Sequence, residues 1–251
     1  MIAEEPLFSV ITVTFNAEDT VERTIRSVAS QSYRNIEHIV IDGLSKDTTM
    51  QIVGKYADCI DVVVSEKDGG IYDAMNKGIK LAKGTYLCFM NAGDVFHNED
   101  VLKEISLQIG GERPDVIYGE TTIVDNNNEF LCMRRLKSPS KLSWKSFKKG
   151  MLVCHQSFFA KREIAGFYDI GYRYSADFDW CVRVLKKSAH IHNTNIVITN
   201  YLSEGVTTNN RWKSLKERFK IMCNHYGFLS TLFYHIYFFV RLPFQKIFPR
   251  T

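Results

Sequence analysis

No two cysteines of this chain stand close enough to form a metal knuckle or a redox pair. The six lie at positions 59, 88, 132, 154, 181 and 223, and the shortest gap is 22 residues. CxxC and zinc-finger spacings are therefore excluded. The first six residues are acidic and lead into no basic, apolar signal segment, so the expectation is a cytoplasmic chain with reduced thiols. Proline is sparse, with 5 in 251 residues, and no Pro/Gly-rich linker or internal repeat breaks the chain. No uncharged run reaches the roughly 20 residues that span a bilayer. With 45% hydrophobic and 24% charged residues, the composition is that of a folded protein with a sizeable core, not a disordered or collagenous one.

The charge is unevenly placed. Residues 1–133 hold 11 Lys and Arg against 22 Asp and Glu, a net of −11. Residues 134–251 hold 21 against 6, a net of +15. An acidic half suits metal or ribose contacts, and a basic half suits phosphates or an anionic membrane. The basic residues carry no interleaved aromatic platform or known motif, so a nucleic-acid partner is not expected.

Apolar patterning gives the architecture. Residues 7–15, 36–41, 60–65 and 86–90 form short β-branched or apolar runs, each expected as a strand. Between them, 16–31, 48–56 and 72–82 carry helical spacing. Strand and helix alternate four times in about 95 residues, which predicts a parallel α/β sheet with right-handed crossovers. Further strands are expected at 116–118 and 121–124, a loop at 137–149, a short apolar run at 157–160 and a helix at 178–187. The polar residues after the strands fall at 14–16, 42–45, 66–70 and 91–94. Ligands of such sheets bind beyond the carboxyl ends of the strands, so these loops mark one polar rim.

The strings SVITVTFNAEDTVERTIRSVASQSYRNIEHIVIDGLSKDTT, SEKDGGIYDAMNKGIKLAKGTYLCFMNAGD, HQSFF and SADFDW resemble the inverting family 2 glycosyltransferases of GT-A fold. The similarity covers about residues 7–205 and is nearest to the subgroup that builds bacterial surface polysaccharides. It implies a metal-dependent transfer of one sugar from a UDP- or GDP-type donor to a glycan, with a polyprenyl-diphosphate-linked acceptor expected. It implies a GT-A domain over 1–210 and a basic, aromatic-rich helical extension over 211–251.

The resemblance also places site residues. Asp94 matches the last acid of the family's metal motif and is the expected ligand for Mg²⁺ or Mn²⁺, ions that prefer carboxylate and phosphate oxygens. The Val13 backbone and the Phe15 ring are expected at the nucleobase, and Asp42 at the base or ribose. Asn91 is expected near the ribose or sugar. Asp68, Gly69 and Gly70 are expected near the diphosphate or donor sugar, with Asn76 on the same side. Asp177 is the expected general base, with Asp179 as its competitor; two acids two residues apart on a helix do not share a face. His155, Gln156 and Asp179 are placed on the acceptor side. The chain departs from the family where acids are replaced by Gly43, Gly93 and Ala176. Those losses motivate an alternative, a degenerate nucleotide-sugar-binding or membrane-associated scaffold.

The C-terminal segment lacks the QxxRW form of processive synthases, since Thr208-Asn209-Asn210 precedes Arg211-Trp212. One sugar per encounter is therefore expected. The aromatic stretch 226–240, followed by Arg241, Lys246 and Arg250, resembles an interfacial anchor more than a span. That predicts a peripheral protein at the inner face of the cytoplasmic membrane.

Overall fold

The structure, a computed structural model, describes residues 6–203 and 211–247, with side chains from 6–203 and 212–237. Its centre is a nine-stranded sheet. β1 (Phe8–Thr14), β2 (Ile36–Asp42), β3 (Val62–Ser65) and β4 (Tyr86–Phe89) are parallel in the order β3-β2-β1-β4. Every residue of β1 is buried, because helices cover both faces of a parallel sheet.

Period-two alternation sorts the β1 side chains. Ile11 and Val13 pack with Met75 and Ile79 of α3 (Ile71–Leu81). Phe8 and Val10 pack on the other face with Val28 of α1 (Val21–Ala29). A short α2 (Thr49–Gly54) completes that layer by packing Val53 against Val21, Ile25 and Val40. α3 lies so close to the sheet that a Cβ on Gly78 would stand 2.4 Å from Ile11 Cγ2. Only glycine fits that contact.

The second half of the sheet is mixed. β5 (Val95–Phe96) precedes α4 (Val101–Ile109), then β6 (Val116–Val124), β7 (Phe130–Met133) and β8 (Phe158–Lys161). β8 bridges β4 and β6 antiparallel to both, while β9 (Ile191–Leu202) runs parallel to β6 and pairs with β5. The two strands expected at 116–118 and 121–124 are one strand, bent by register shifts around Glu120. β9 escapes an apolar-run search because it buries polar residues, among them Thr194, Thr199 and Asn200. The loop at 137–149 ends in a 3₁₀ turn at Trp144–Lys149.

α5 (Arg162–Ala165) and α6 (Ala176–Lys187) follow β8. Beneath the rim, Trp180 stacks on Tyr168 at 5.0 Å between centroids, and Tyr168 stacks on Tyr72 at 5.4 Å. α7 (Arg211–Tyr226) and α8 (Phe228–Ile247) form the C-terminal segment. Residues 208–210, Arg250 and the boundary at 210 lie outside the described residues.

Among the titratable groups in this core, His38 sits on β2 at 1% exposure, with Nε2 3.0 Å from Thr12 Oγ1. Burial lowers its pKa to about 4. An unfolded histidine titrates near 6.5. The neutral ring therefore contributes stability above pH 6.5 that is lost as pH falls toward 4, about 3 kcal/mol in full. Urea unfolding between pH 7.5 and 4 should show this loss in the wild type. His38→Gln should be less stable at pH 7.5 and lack that component of the pH slope. Parallel profiles for the two proteins would refute it.

Candidate active site

The rim loops do not use their acids alike. Asp42 is fully buried, and its carboxylate accepts the Ser45 N–H at 3.0 Å, the Ser65 hydroxyl at 2.6 Å and the Ser45 hydroxyl. This carboxylate, expected at the base or ribose, ties the loops after β2 and β3 together. Asn76, expected on the diphosphate side, also bonds another loop. Its amide donates to the Tyr168 carbonyl at 2.9 Å and accepts the Tyr168 N–H at 2.7 Å, so both ends hold the loop before α6.

Space beside Asp42 is used differently. A Cβ on Gly43 would lie 2.6 Å from Asp68 Oδ2 and 3.2 Å from Phe15 Cδ2. Asp68 and Phe15 thus fill the volume that a larger residue at 43 would take. Phe15 is 60% exposed, a platform at the rim and not a core ring. Asp68 Oδ1 accepts the Gly70 N–H at 2.9 Å, which leaves Oδ2 beside the Phe15 ring. Gly70 has φ +121°, a conformation that favours glycine, and it opens α3. The Gly69 N–H donates to Asp73. Val13 is buried at the end of β1, and its carbonyl accepts the Ala92 N–H at 3.1 Å, next to Asn91. Asn91 Oδ1 is buried with no hydrogen-bond partner.

Asp94 lies between β4 and β5 at 4% exposure. Its Oδ1 accepts the Leu202 N–H of β9 at 3.1 Å, and its Oδ2 accepts Gln156 Nε2–H at 2.7 Å. Burial raises its pKa to about 7, against the pull of those two bonds and of the Arg23 charge. The loop is fixed from α1: Thr24 Oγ1 donates to the Asp94 carbonyl and accepts the Gly93 N–H, both at 2.8 Å, and Arg23 Nε donates to the Gly93 carbonyl at 2.7 Å. Gly93 adopts φ +107°, and a Cβ there would stand 2.9 Å from Leu202 Cδ2. The acid missing at 93 is thus excluded by the backbone that aims Asp94.

Gln156, expected on the acceptor side, holds Asp94. Its Oε1 accepts the Cys154 thiol at 2.7 Å, which fixes the amide with its NH₂ toward the carboxylate. The preceding His155 faces the other way. Its Nδ1 stands 3.7 Å from Asp177 Oδ2, and its Nε2 is buried without a hydrogen-bond partner. Burial keeps the imidazole pKa below its usual value, with the Asp177 charge opposing. One 3₁₀ turn, His155–Ser157, therefore touches both Asp94 and Asp177.

Asp177 lies in the first turn of α6, and its Oδ1 accepts the Tyr72 hydroxyl of α3 at 3.1 Å. Asp179 is a different case. It is 6% exposed and accepts Arg183 Nε–H at 2.6 Å and His225 Nε2–H at 2.7 Å. Burial acts to raise its pKa, but those two bonds hold it below the usual range. Through these two bonds Asp179, expected on the acceptor side, pins α6 to α7. α7 also supplies Glu217, whose carboxylate accepts the N–H groups of Arg173, Tyr174 and Ser175, each at 2.7 Å.

Sequence patterning missed Glu217, Arg23 and Thr24, as well as Tyr201 and Arg134. The Tyr201 phenol is raised by burial and feels the charges of both Asp94 and Asp177. Arg134 follows β7. Among the described residues, no three His, Cys, Asp or Glu side chains gather closely enough to hold a metal by themselves.

The sequence profile described as Glycosyl transferase family 2 matches residues 9–166. The chain is 30% identical over 212 residues to a PGL/p-HBAD biosynthesis glycosyltransferase of Mycobacterium tuberculosis, covering 81% of this chain and 80% of that protein. It is 26% identical over 247 residues to the Escherichia coli UDP-Glc:alpha-D-GlcNAc-diphosphoundecaprenol beta-1,3-glucosyltransferase WfaP, covering 92% and 96%. The fold is similar to S. aureus TarS 1-349 in complex with UDP, with a TM-score of 0.68 at 19% identity, over 87% of this chain and 66% of that one. It is also similar to the mannosyltransferase PcManGT from Pyrobaculum calidifontis in complex with GDP-Man and Mn²⁺, with a TM-score of 0.65 at 14% identity, over 88% and 64%. With this profile over most of its length and a GT-A sheet whose rim sets Asp94 and Asp177 against one turn, the chain belongs to glycosyl transferase family 2 and is a glycosyltransferase of the kind that uses nucleotide-sugar donors.

Proposed function

We propose that the protein is an inverting, metal-dependent transferase that moves one sugar from a UDP- or GDP-sugar to a lipid-linked glycan acceptor in bacterial surface polysaccharide synthesis. The observation that carries this is the pair Asp94 and Asp177, held from opposite ends of the turn at residues 155–157. In support, WfaP is named for a diphosphoundecaprenol-linked acceptor.

The residues fit a divalent cation. Asp94 is a buried carboxylate whose charge is undercompensated by its own hydrogen bonds, and the nearby Asn91 Oδ1 lacks a donor. Mg²⁺ or Mn²⁺ is commonly held by one or two protein oxygens, with phosphates and water completing the shell. Asp94 would hold such an ion, and Asn91 could add an oxygen. The ion would neutralise charge on the departing nucleoside diphosphate.

Asp177 acts as the base. It takes the acceptor hydroxyl proton while that oxygen forms a bond to the anomeric carbon. The bond to the diphosphate breaks on the opposite face, its electron pair leaves with the phosphate, and configuration inverts. Tyr72 holds one carboxylate oxygen in place by its hydroxyl. On the donor side, Phe15 borders the base and Asp68 Oδ2 beside it accepts a ring N–H. Uracil and guanine present such a donor, and adenine and cytosine do not. Gly69 and Gly70 let the diphosphate approach the backbone.

Residues 1–210 serve as the catalytic domain in this proposal, and 211–251 as an extension that docks at the inner face of the cytoplasmic membrane. No helix among the described residues is long and apolar enough to cross a membrane. α8 instead exposes Leu229, Phe233 and Ile236 at 80%, 67% and 56%, on one helical face. Lys145, Lys148 and Lys186 lie over the stacked rings of Trp144 and Tyr226 near its start. An apolar stripe beside basic side chains suits an anionic lipid surface.

A calorimetric panel of nucleotide sugars with and without Mn²⁺ tests the donor site. The wild type should bind a uridine or guanosine donor in a metal-dependent way, and Asp94→Ala should lose that dependence. Asp177→Asn should bind the donor normally and lose transfer by about 10²–10⁴-fold, the range for a general base. Donor binding without transfer in the wild type, over a range of lipid-linked acceptors, would oppose it. For the membrane, the full chain should float with phosphatidylglycerol vesicles and Phe233→Ser/Ile236→Ser should stay at the bottom of the gradient. Equal flotation of both would exclude α8 as the anchor.

A further inference from the structure

The β6–β7 hairpin brings a cation to the site that none of the roles above employs. Arg134 directly follows β7, and its N–H donates to the Thr121 carbonyl at 3.0 Å. The Thr121 hydroxyl in turn hydrogen-bonds Ser157 at 2.7 Å, in the same turn that touches Asp94 and Asp177. Arg134 Nη1 donates to the carbonyls of Leu136 at 3.2 Å and Leu152 at 3.3 Å, the latter two residues before Cys154. The guanidinium is half-buried, and its charge reaches Cys154, His155 and Tyr201. No carboxylate among the described residues pairs with it, and its Nε and Nη2 donate to no described protein atom. A guanidinium that keeps a free N–H edge is a ready bidentate partner for a phosphate.

The chain leading to Arg134 is unusual for an edge strand. All four residues of β7 are exposed, with Phe130 at 63% and Leu131 at 52%. Natural sheet edges usually carry charge or proline instead of an exposed apolar run. Here the apolar run ends in Arg134 and Arg135. A strip that is apolar along its length and cationic at the end that reaches the turn at 155–157 through Thr121 matches an amphiphile with an anionic head.

We propose that β7 and Arg134 form the acceptor-lipid subsite, in which Phe130 and Leu131 take the first isoprenoid units and Arg134 takes the acceptor's diphosphate. This rests on the transferase reading above and extends it to residues that place the acceptor beside Asp177. The donor's diphosphate is the competing anion. The apolar strip assigns Arg134 to the acceptor, because a nucleotide sugar offers nothing to cover Phe130 and Leu131.

The test uses the full chain with Mn²⁺ and measures binding of UDP, GDP, farnesyl diphosphate, farnesol and inorganic pyrophosphate. The wild type should bind farnesyl diphosphate at least tenfold more tightly than farnesol or pyrophosphate. Arg134→Gln should weaken farnesyl diphosphate at least tenfold and leave UDP and GDP within twofold, with Arg134→Lys recovering part of the loss. Leu131→Ser, at an exposed position, should weaken farnesyl diphosphate and leave pyrophosphate unchanged, whether or not Arg134→Gln folds. The inference is overturned if Arg134→Gln weakens the nucleotides instead, if neither variant changes farnesyl diphosphate, or if the wild type does not bind it. Failure of the wild type to bind any nucleotide or nucleotide sugar is a separate result and removes the donor-site reading itself.

Discussion

Burying the Asp94 carboxylate is the constraint on which the rest of this site depends. A carboxylate taken out of water is costly unless donors replace its hydration. The protein supplies two, one from the backbone of β9 and one from the side chain of Gln156. Each imposes a condition elsewhere. β9 must run past the end of β5, which requires the antiparallel pairing of Val95 with Asn200. Gln156 must present its amide and not its carbonyl, and the Cys154 thiol enforces this from the other end. Gly93 must take a left-handed turn against Leu202, so a second acid at that position is excluded. The departure from the family's acidic motif and the geometry of its surviving member share one cause.

The C-terminal extension is not a loose appendage. Asp177 projects from the first turn of α6, and that turn is held by α7. Glu217 accepts three backbone N–H groups in the segment that leads into α6, the last of them from its N-cap, Ser175. His225 bonds Asp179 one turn further along the same helix. Ser175 and Ser214 add a hydroxyl contact at 3.0 Å. The position of the proposed base is therefore set as much by residues 214–225 as by the sheet. The two acids at 177 and 179 divide the work: one faces Tyr72 and His155, and the other anchors the helix.

Much of this was legible before the structure, and the parts that were not have physical reasons. The strands and helices to residue 90 were visible because parallel strands buried on both faces leave continuous apolar runs. β9 was not, since its buried Thr and Asn side chains bond across the sheet and look like a loop in sequence. Asp94 and Asp177 were singled out by motif, and both are set against the turn at 155–157. What a motif does not show is which way a side chain turns: Asp42 and Asn76 turn inward and bond other loops. Neighbours in a 3₁₀ turn likewise point apart, so His155 and Gln156 reach different carboxylates. Glu217 had no local signal, since its partners lie over forty residues away.

The division of charge along the chain also takes on a specific meaning. In the acidic half much of the excess is spent on the fold. Asp42 closes the loops after β2 and β3, Asp61 accepts the His38 N–H, Asp115 accepts two N–H groups before β9, and Asp125 accepts two more in its turn. These carboxylates act as local caps that hold loops and strand ends in place. In the basic half several cations face rings or carbonyls and no carboxylate among the described residues. Lys145, Lys148, Lys186 and Lys220 lie over aromatic rings, and Arg134 bonds only main-chain carbonyls. Cations held by π faces and carbonyls keep their full charge for an external anion. The half of the chain that carries the exposed apolar helix, and that begins directly after the apolar edge strand, is thus also the half with the positive excess. In the proposed reaction, that charge excess would draw a membrane-held acceptor toward the pair of carboxylates that a soluble donor reaches from the rim.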